Sequence, residues 1–270
     1  MPIATLPDIG LYYEVHGNGE PLVMITGYSD HSGQWFAQLP GLARHYRAIA
    51  FDNRGAGRSD KPDVPYTMQM LAGDVAGLLQ ALSIDAAHIY GVSMGGMVAQ
   101  EFALQYPKMT LGLVLGGTTC GGGYTVMPDN EVIALLADNE RLDRLTPEEA
   151  AREMFSFSCS PDFIQKNPRV VDEYVARAVE YPAPLYALRR QMEAILGHDT
   201  YDRLPDITAR TLIICGSADR LMPAANSDLL ASRIPDVQLL VLDGVGHGFC
   251  YEAPDEANKA MVDFLNSHRP

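Results

Sequence analysis

Cysteine is sparse in this chain, and its four copies are too far apart to suggest a shared site. They are Cys120, Cys159, Cys215 and Cys250. Because no Cys-x-x-Cys pair occurs, the sequence predicts neither a zinc site nor a redox motif. Isolated thiols are typical of a reduced cytosolic protein, so we expect all four to be free.

Long apolar runs are also missing. Residues 1–17 contain neither the basic region nor the apolar core of a secretory signal. No stretch of the sequence reaches the about 18 apolar residues that a membrane-spanning helix needs. We therefore expect a cytoplasmic protein that has no membrane partner.

Positive charge is scarce as well. The chain has 20 Lys and Arg residues against 34 Asp and Glu residues, which gives a net charge of −14. A field of this sign repels the phosphates of nucleic acids and the surface of anionic lipids, so we expect no nucleic acid partner. An anionic substrate would need an Arg or Lys inside its own pocket.

The apolar residues that are present fall into short runs separated by amphipathic helical patterns. Apolar residues make up 47% of the 270 residues, enough for one large core. The runs that resemble buried parallel strands are 22–26, 47–52, 87–92, 111–117, 211–216 and 238–243. Between them, residues 67–83 have helical spacing, with Thr67 as the N-cap. The alternation predicts an α/β fold with a doubly wound, mostly parallel sheet, to which residues 10–16 add antiparallel strands.

The alternation stops between residues 118 and 206, where helical pieces and prolines replace the strands. Thr146-Pro147-Glu148-Glu149 has the form of a capping box with Pro at the first helical position. A helical insertion that follows a strand lies over the carboxyl ends of the strands, where open α/β sheets bind ligands. We therefore predict a core of residues 1–117 and 207–270 and a helical cap of residues 118–206.

One short motif points to nucleophilic catalysis. Gly91-Val92-Ser93-Met94-Gly95 matches G-x-S-x-G and stands between a predicted strand and a predicted helix, the context that a nucleophile elbow requires. Small flanking residues permit the sharp turn, and the helix N-terminus favours negative charge near Ser93. Ser93 is the candidate nucleophile.

A serine nucleophile needs a histidine base, which is itself oriented by a carboxylate. His247 and Asp219 both follow predicted strands, so they are expected at the same sheet edge as Ser93, in the order Ser–Asp–His. The rival bases are His31, in a loop at the same edge, and His198, in the cap. Residues 118–126, after the preceding strand, contain no acid.

These motifs together resemble the α/β-hydrolase superfamily, and within it the carboxylesterase and 3-oxoadipate enol-lactonase-like branch. The resemblance rests on Thr26-Gly27-Tyr28, the segment 52–59, the segment 91–95, the segment 216–219 with Pro223, and Gly246-His247 with Glu252. It implies a fold with a cap, no metal or organic cofactor, and an oxyanion hole made by the backbone N–H groups of Tyr28 and Met94. Many relatives have His-Gly where this chain has Thr26-Gly27. We interpret segment 52–59 as structural rather than catalytic.

The predicted function is hydrolysis of a small, mostly uncharged carboxylic ester through an acyl-enzyme. A lactonase and a C–C bond hydrolase use the same triad and stay open, as does a ligand-binding receptor on the same fold. An enol-lactone is anionic and needs a buried cation, for which Arg177, Arg189 and Arg190 are candidates. The candidate pocket or core residues of the cap are Met154, Phe155, Phe157, Tyr186 and Met192. The sequence does not fix the oligomeric state, and a homodimer is compatible with it.

Overall fold

The protein is described by a computed structural model that covers residues 2–137 and 144–267. Its centre is an eight-stranded sheet in the order β1-β2-β4-β3-β5-β6-β7-β8. The strands are β1 Ile3–Thr5, β2 Gly10–His16, β3 Pro21–Ile25, β4 Arg47–Phe51, β5 Ala87–Val92, β6 Thr110–Gly116, β7 Thr211–Gly216 and β8 Val237–Leu242. β1 and β2 are antiparallel, whereas β3 to β8 run parallel. The predicted mostly parallel sheet is confirmed, and each predicted strand lies within one residue of its observed bounds.

Helices lie on both faces of this sheet and in the segment between β6 and β7. They are α1 Leu39–Leu42, α2 Met68–Ala81, α3 Met94–Gln105, α4 Asn130–Ala137, α5 Pro147–Ser158, α6 Pro161–Lys166, α7 Pro168–Ala178, α8 Leu185–Leu196, α9 Ala225–Arg233, α10 Phe249–Glu252 and α11 Pro254–Asn266. α2, α3 and α9 pack on one face of the sheet, and α1, α10 and α11 pack on the other. Thr67 caps α2 as predicted, because its Oγ1 accepts from Met70 N at 3.0 Å.

The described residues between β6 and β7 form helices joined by loops, with a single β-bridge and no strand. Helix α5 begins with the predicted capping box: Glu149 N donates to Thr146 Oγ1 at 3.2 Å, and Thr146 N donates to Glu149 Oε2 at 2.8 Å. α5 and α7 enclose a small core of their own around Phe155 and Tyr174. The division of the chain into core and cap stays a prediction, and residues 138–143 and 268–270 of that division lie outside the described residues.

The sequence led us to expect free cysteines and no membrane-spanning helix. All four cysteines are free and buried. No helix within the described residues has both the length and the apolar character that crossing a bilayer requires.

A buried ion pair joins the loop after β4 to helix α2. Arg54 donates from Nε to Asp74 Oδ2 at 2.8 Å and from Nη2 to Asp74 Oδ1 at 2.7 Å. The Arg54 side chain is 2% exposed and that of Asp74 is 6% exposed. Asp8 accepts a third bond from Arg54 at 3.1 Å, but its side chain is 67% exposed. The carboxylate of Asp74 is therefore the principal compensation for a buried guanidinium.

We expect Asp74→Ala to lower the free energy of unfolding by about 3–5 kcal/mol, because it leaves Arg54 buried without its main counter-charge. Asp8→Ala is the matched control, and we expect it to cost about 1 kcal/mol or less, because that pair is exposed. Urea denaturation followed by circular dichroism measures both values. Equal losses in the two variants would contradict this account of the pair.

Candidate active site

The loops that follow the parallel strands meet at one edge of the sheet. Ser93 follows β5, Asp219 lies in the loop after β7, and His247 lies in the loop after β8. The structure brings these three residues together: Asp219 is hydrogen-bonded to His247, and both His247 and Ser93 line one cleft. Parallel strands place their carboxyl ends at a common edge, which explains how residues so distant in sequence meet.

Ser93 occupies a strained turn between β5 and α3. Its φ of 57° and ψ of −121° are rare for a residue other than glycine. The two flanking glycines are required by close approach, because a Cβ on Gly91 would lie 2.0 Å from the carbonyl oxygen of Gly95, and one on Gly95 would lie 2.2 Å from that of Ile25. Strain of this kind persists only where the surroundings enforce it, and it lifts the serine hydroxyl into the cleft.

His247 and Asp219 form a hydrogen-bonded pair. His247 Nδ1 lies 2.8 Å from Asp219 Oδ2, and the other oxygen of Asp219 accepts from Leu221 N at 2.9 Å and from Met222 N at 2.7 Å. In the neutral imidazole, a carboxylate at Nδ1 selects the tautomer with its proton on that atom. Nε2 is then left as a proton acceptor.

Opposing electrostatic effects act on the pKa of His247. Burial lowers the pKa of its imidazole, but the carboxylates of Asp219 and Asp30 raise it, and the net direction is upward from the usual value. Asp219 is thus placed both to orient the ring and to stabilise its cation.

Two backbone N–H groups are available beside Ser93. Tyr28 lies in the loop after β3 and lines the cleft, and Met94 is the first residue of α3. Among the described residues, neither N–H has a hydrogen-bond acceptor. The N-terminal end of α3 adds a positive partial charge at the same point. The Tyr28 side chain is half-buried in the cleft wall, a placement that the sequence left open.

The segment 52–59 holds the loop that carries Tyr28. Asn53 Nδ2 donates to Thr26 O at 3.1 Å, and Asp52 Oδ1 accepts from Ser32 N at 2.7 Å. The cap reaches the same loop, because Ser29 N donates to Gln191 Oε1 at 3.0 Å. These contacts agree with a structural role for the segment.

A second set of bonds connects the cap to the loop of His247. Glu252 accepts from Gly246 N at 2.8 Å through one oxygen, and from Ser160 N at 3.1 Å through the other. Gly248 N also donates to Ser158 O at 2.6 Å. The loop of His247 is therefore bonded to the C-terminal end of α5 and to the residues that directly follow it.

The cleft encloses about 700 Å³, part of it open to solvent. Its lining residues are Thr26, Gly27, Tyr28, Asp30, Gln34, Trp35, Val92, Ser93, Met154, Ser158, Tyr174, Leu221, His247, Gly248, Cys250 and Tyr251. Of the cap residues singled out from the sequence, Met154 reaches this cleft. Phe155 packs in the core between α5 and α7, and Phe157, Tyr186 and Met192 are not among the lining residues.

The three candidate arginines lie away from the cleft. Arg177 pairs with Glu173 at 2.6 Å, and Arg190 pairs with Asp63 at 3.1 Å and with Glu193 at 2.9 Å. Arg189 is exposed. None of the three is a lining residue, and no Lys or Arg within the described residues lines the cleft.

Neither of the two rival histidines lines the cleft. His31 accepts from Gly33 N at its Nδ1 and lies 2.8 Å from Arg177 O through its Nε2. His198 is buried away from the cleft, and burial lowers its pKa to about 4. The geometry thus favours His247 among the three.

Asp30 and Gln191 are functional-site residues that sequence reasoning missed. Asp30 lies two residues beyond Tyr28, and its place in a loop at the correct sheet edge was a usable signal. Burial raises the pKa of its carboxyl to about 7, against a smaller lowering effect of His247. Gln191 lies 162 residues from Ser29 and carried no local signal.

Comparisons with known proteins find similar chains that match over nearly the whole length of this one. A relative from Azorhizobium caulinodans named "Putative carbamate hydrolase RutD" is 31% identical over 266 residues, which cover 98% of each chain. A structure described as Est816, an N-acyl homoserine lactone degrading enzyme, matches with a TM-score of 0.84 at 28% identity, over 97% of this chain and 100% of that chain. The enol-lactonase from Burkholderia xenovorans LB400 matches with a TM-score of 0.83 at 26% identity, over 98% of this chain and 99% of that chain.

The family model described as the α/β hydrolase fold matches residues 20–254. These residues include every strand from β3 to β8 as well as Ser93, Asp219 and His247. The match therefore extends over the sheet edge, the elbow at Ser93 and the loop of His247. This chain belongs to the α/β-hydrolase fold family.

Proposed function

We propose that this chain is a serine hydrolase that cleaves a small carboxylic ester through an acyl-enzyme. The observation that carries the proposal is the pair of His247 and Asp219, at 2.8 Å, in the cleft that Ser93 lines from a strained turn. A nucleophile and a base in one cleft, with a carboxylate hydrogen-bonded to the base, form the arrangement that acyl transfer requires.

In the proposed cycle, Ser93 Oγ attacks the carbonyl carbon while His247 Nε2 accepts its proton. The carbonyl oxygen becomes an oxyanion, and the N–H groups of Tyr28 and Met94 stabilise it; a donor of this kind is worth about 3–4 kcal/mol in other enzymes. The imidazolium then protonates the leaving alcohol. A water molecule, deprotonated by the same histidine, hydrolyses the acyl-enzyme and restores Ser93.

The lining of the cleft supports an ester without a carboxylate. No basic side chain among the described lining residues is available to bind one, and Asp30 would repel it. This argues against the anionic enol-lactone as substrate, although a neutral lactone fits the same chemistry. Relatives of this chain are named for carbamate and lactone hydrolysis, and both reactions begin with attack on a carbonyl. A C–C bond hydrolase or a receptor on the same fold lacks a specific observation in its favour.

We expect Ser93→Ala to remove turnover and leave the fold intact, because Ser93 supplies the oxygen that forms the acyl-enzyme in the proposed cycle. By analogy with other Ser-His-Asp enzymes, kcat for p-nitrophenyl acetate should fall by about 10⁶. A fluorophosphonate should label the native chain once, at Ser93, and should not label the variant. Ser232→Ala, at an exposed position on α9, is the control that keeps both activity and labelling. Labelling of another serine together with an active Ser93→Ala variant would disprove the assignment.

We expect Asp219→Asn to depress kcat by up to about 10⁴, because the amide no longer selects the correct tautomer or stabilises the imidazolium. Asp243→Asn is the matched control, since Asp243 is an exposed acid after the neighbouring strand. Steady-state kinetics on the same ester compare the two variants. A near-normal Asp219→Asn variant would assign the orienting role to a different carboxylate.

We expect the kcat/KM of the native chain to fall on acidification with an apparent midpoint above the usual histidine value of about 6.5. The sign follows from the raised pKa of His247: a base that holds its proton more tightly is lost at a higher pH as acid is added. A pH–rate profile of p-nitrophenyl acetate hydrolysis between pH 5 and pH 9 gives the midpoint. A midpoint clearly below 6.5 would contradict the electrostatic account of the site.

A further inference from the structure

The cleft contains a carboxyl group that the proposed reaction does not use. Asp30 is held by its backbone, whose carbonyl oxygen accepts from Thr26 Oγ1 at 3.2 Å. Among the described residues, its carboxyl group has neither a hydrogen-bond donor nor an ion-pair partner. A carboxyl group that is partly buried in a cleft and unpaired is costly to keep ionised, and a ligand that compensates it would lower that cost.

Asp30 stands close to the nucleophile. A Cβ placed on Gly27 would lie 3.3 Å from Ser93 Cβ and 3.8 Å from Asp30 Oδ2, so both side chains approach the same small residue. An ester bound at Ser93 therefore brings its acyl or alcohol substituent within reach of the carboxyl group of Asp30.

Aromatic rings line the same cleft as this carboxyl group. Tyr174 and Tyr251 line the cleft with ring centroids 5.5 Å apart, and Phe155 packs against both, at 4.7 Å and 5.6 Å. The charge of Asp30 contributes to the raised pKa of both phenols, although burial is the larger cause. The amide oxygen of Gln34, another lining residue, is a second buried acceptor that has no partner within the described residues.

We infer, on the basis of the proposed esterase function, that the cleft selects esters that carry an ammonium group, which Asp30 binds beside the rings of Tyr174 and Tyr251. A carboxylate supplies the counter-charge, and tyrosine faces attract cations through their quadrupoles. The acceptor oxygen of Gln34 suits an N–H donor.

Charge balance distinguishes a cation from the other ligand classes. An anionic ligand would add a like charge to Asp30, and no Lys or Arg of the described lining residues would offset it. A neutral ligand could donate a hydrogen bond to the carboxyl group but would supply no counter-charge for its ionised form, and burial raises the pKa of Asp30 to about 7. A cation favours the ionised form of Asp30 and is also attracted by the net charge of −14. Its charge further offsets the repulsion between Asp30 and the developing oxyanion.

Isosteric ester pairs test the inference. Ethyl 3-aminopropanoate and ethyl butanoate differ by an ammonium group in place of a methyl group on the acyl side. Acetylcholine and 3,3-dimethylbutyl acetate differ by a quaternary nitrogen in place of a quaternary carbon on the alcohol side. The kcat/KM ratio of each pair is measured for the native chain, for Asp30→Asn and for Asp85→Asn. Asp85 is exposed, so its variant removes the same charge from a position outside the cleft.

We expect the native chain to prefer the cationic member of at least one pair by about tenfold or more. Asp30→Asn should reduce that ratio at least about fivefold, whereas Asp85→Asn should leave it unchanged within about a factor of two. The change in ratio on mutation cancels the intrinsic reactivity of the esters. Choline should also inhibit hydrolysis of p-nitrophenyl acetate by the native chain more strongly than 3,3-dimethylbutanol does, a result that does not depend on folding of the variant.

Three outcomes would overturn the inference. They are a native preference for the neutral member of both pairs, a ratio that Asp30→Asn does not alter, and equal rates for ethyl 3-hydroxypropanoate and ethyl 3-aminopropanoate, which would assign recognition to a hydrogen bond rather than to charge. In each case the esterase proposal survives if Ser93 is labelled by the fluorophosphonate. Absence of both labelling and hydrolysis would instead reject the esterase proposal itself.

Discussion

The sharp turn at Ser93 is the constraint around which the sheet edge is organised. Ser93 holds a positive φ because β5 ends against its neighbours: its N–H donates to Gly116 O at 2.8 Å, and its carbonyl oxygen accepts from Thr118 Oγ1 at 2.8 Å. Gly95 lies so near the carbonyl oxygen of Ile25 that no side chain fits between α3 and β3. The serine hydroxyl, the start of α3 and the loop after β3 are consequently fixed relative to one another before any ligand binds, which is the preorganisation that stabilisation of an oxyanion depends on.

The segment between β6 and β7, which we predict to be a cap, is hydrogen-bonded to two loops at this edge. Gln191 of α8 accepts from Ser29 N and donates to Arg54 O at 2.9 Å, so it joins the loop of Tyr28 to the loop that follows β4. Glu252 and Ser158 connect the chain around α5 to the loop of His247. The segment between β6 and β7 is thus bonded both to the loop of Tyr28 and to the loop of His247.

Local pattern was sufficient for the sheet and for the residues that end its strands. Each parallel strand is a short apolar run in the sequence, which is the pattern of a buried strand. The turn at Ser93 is recognisable from its flanking glycines, which are required because the backbone approaches them closely. Contacts across long sequence separations were not readable in the same way. Gln191 is one polar residue in an amphipathic helix, and its role arises only when α8 packs beside Ser29. The raised pKa of Asp30 likewise depends on its burial in the folded cleft, whose wall includes Tyr174 and Tyr251 from distant elements.

The two carboxylates near His247 differ in how their charge is compensated. Asp219 accepts hydrogen bonds at both oxygens, from His247 and from two backbone N–H groups, so its charge is part of the folded structure. Asp30 has no such donors within the described residues, so the proposed ligand in the cleft would determine how readily its carboxyl group ionises. Both groups raise the pKa of the same imidazole. A bound cation beside Asp30 would offset its influence on His247 and make the base easier to deprotonate, so that recognition of a charged substrate and activation of the nucleophile would be coupled through one carboxyl group.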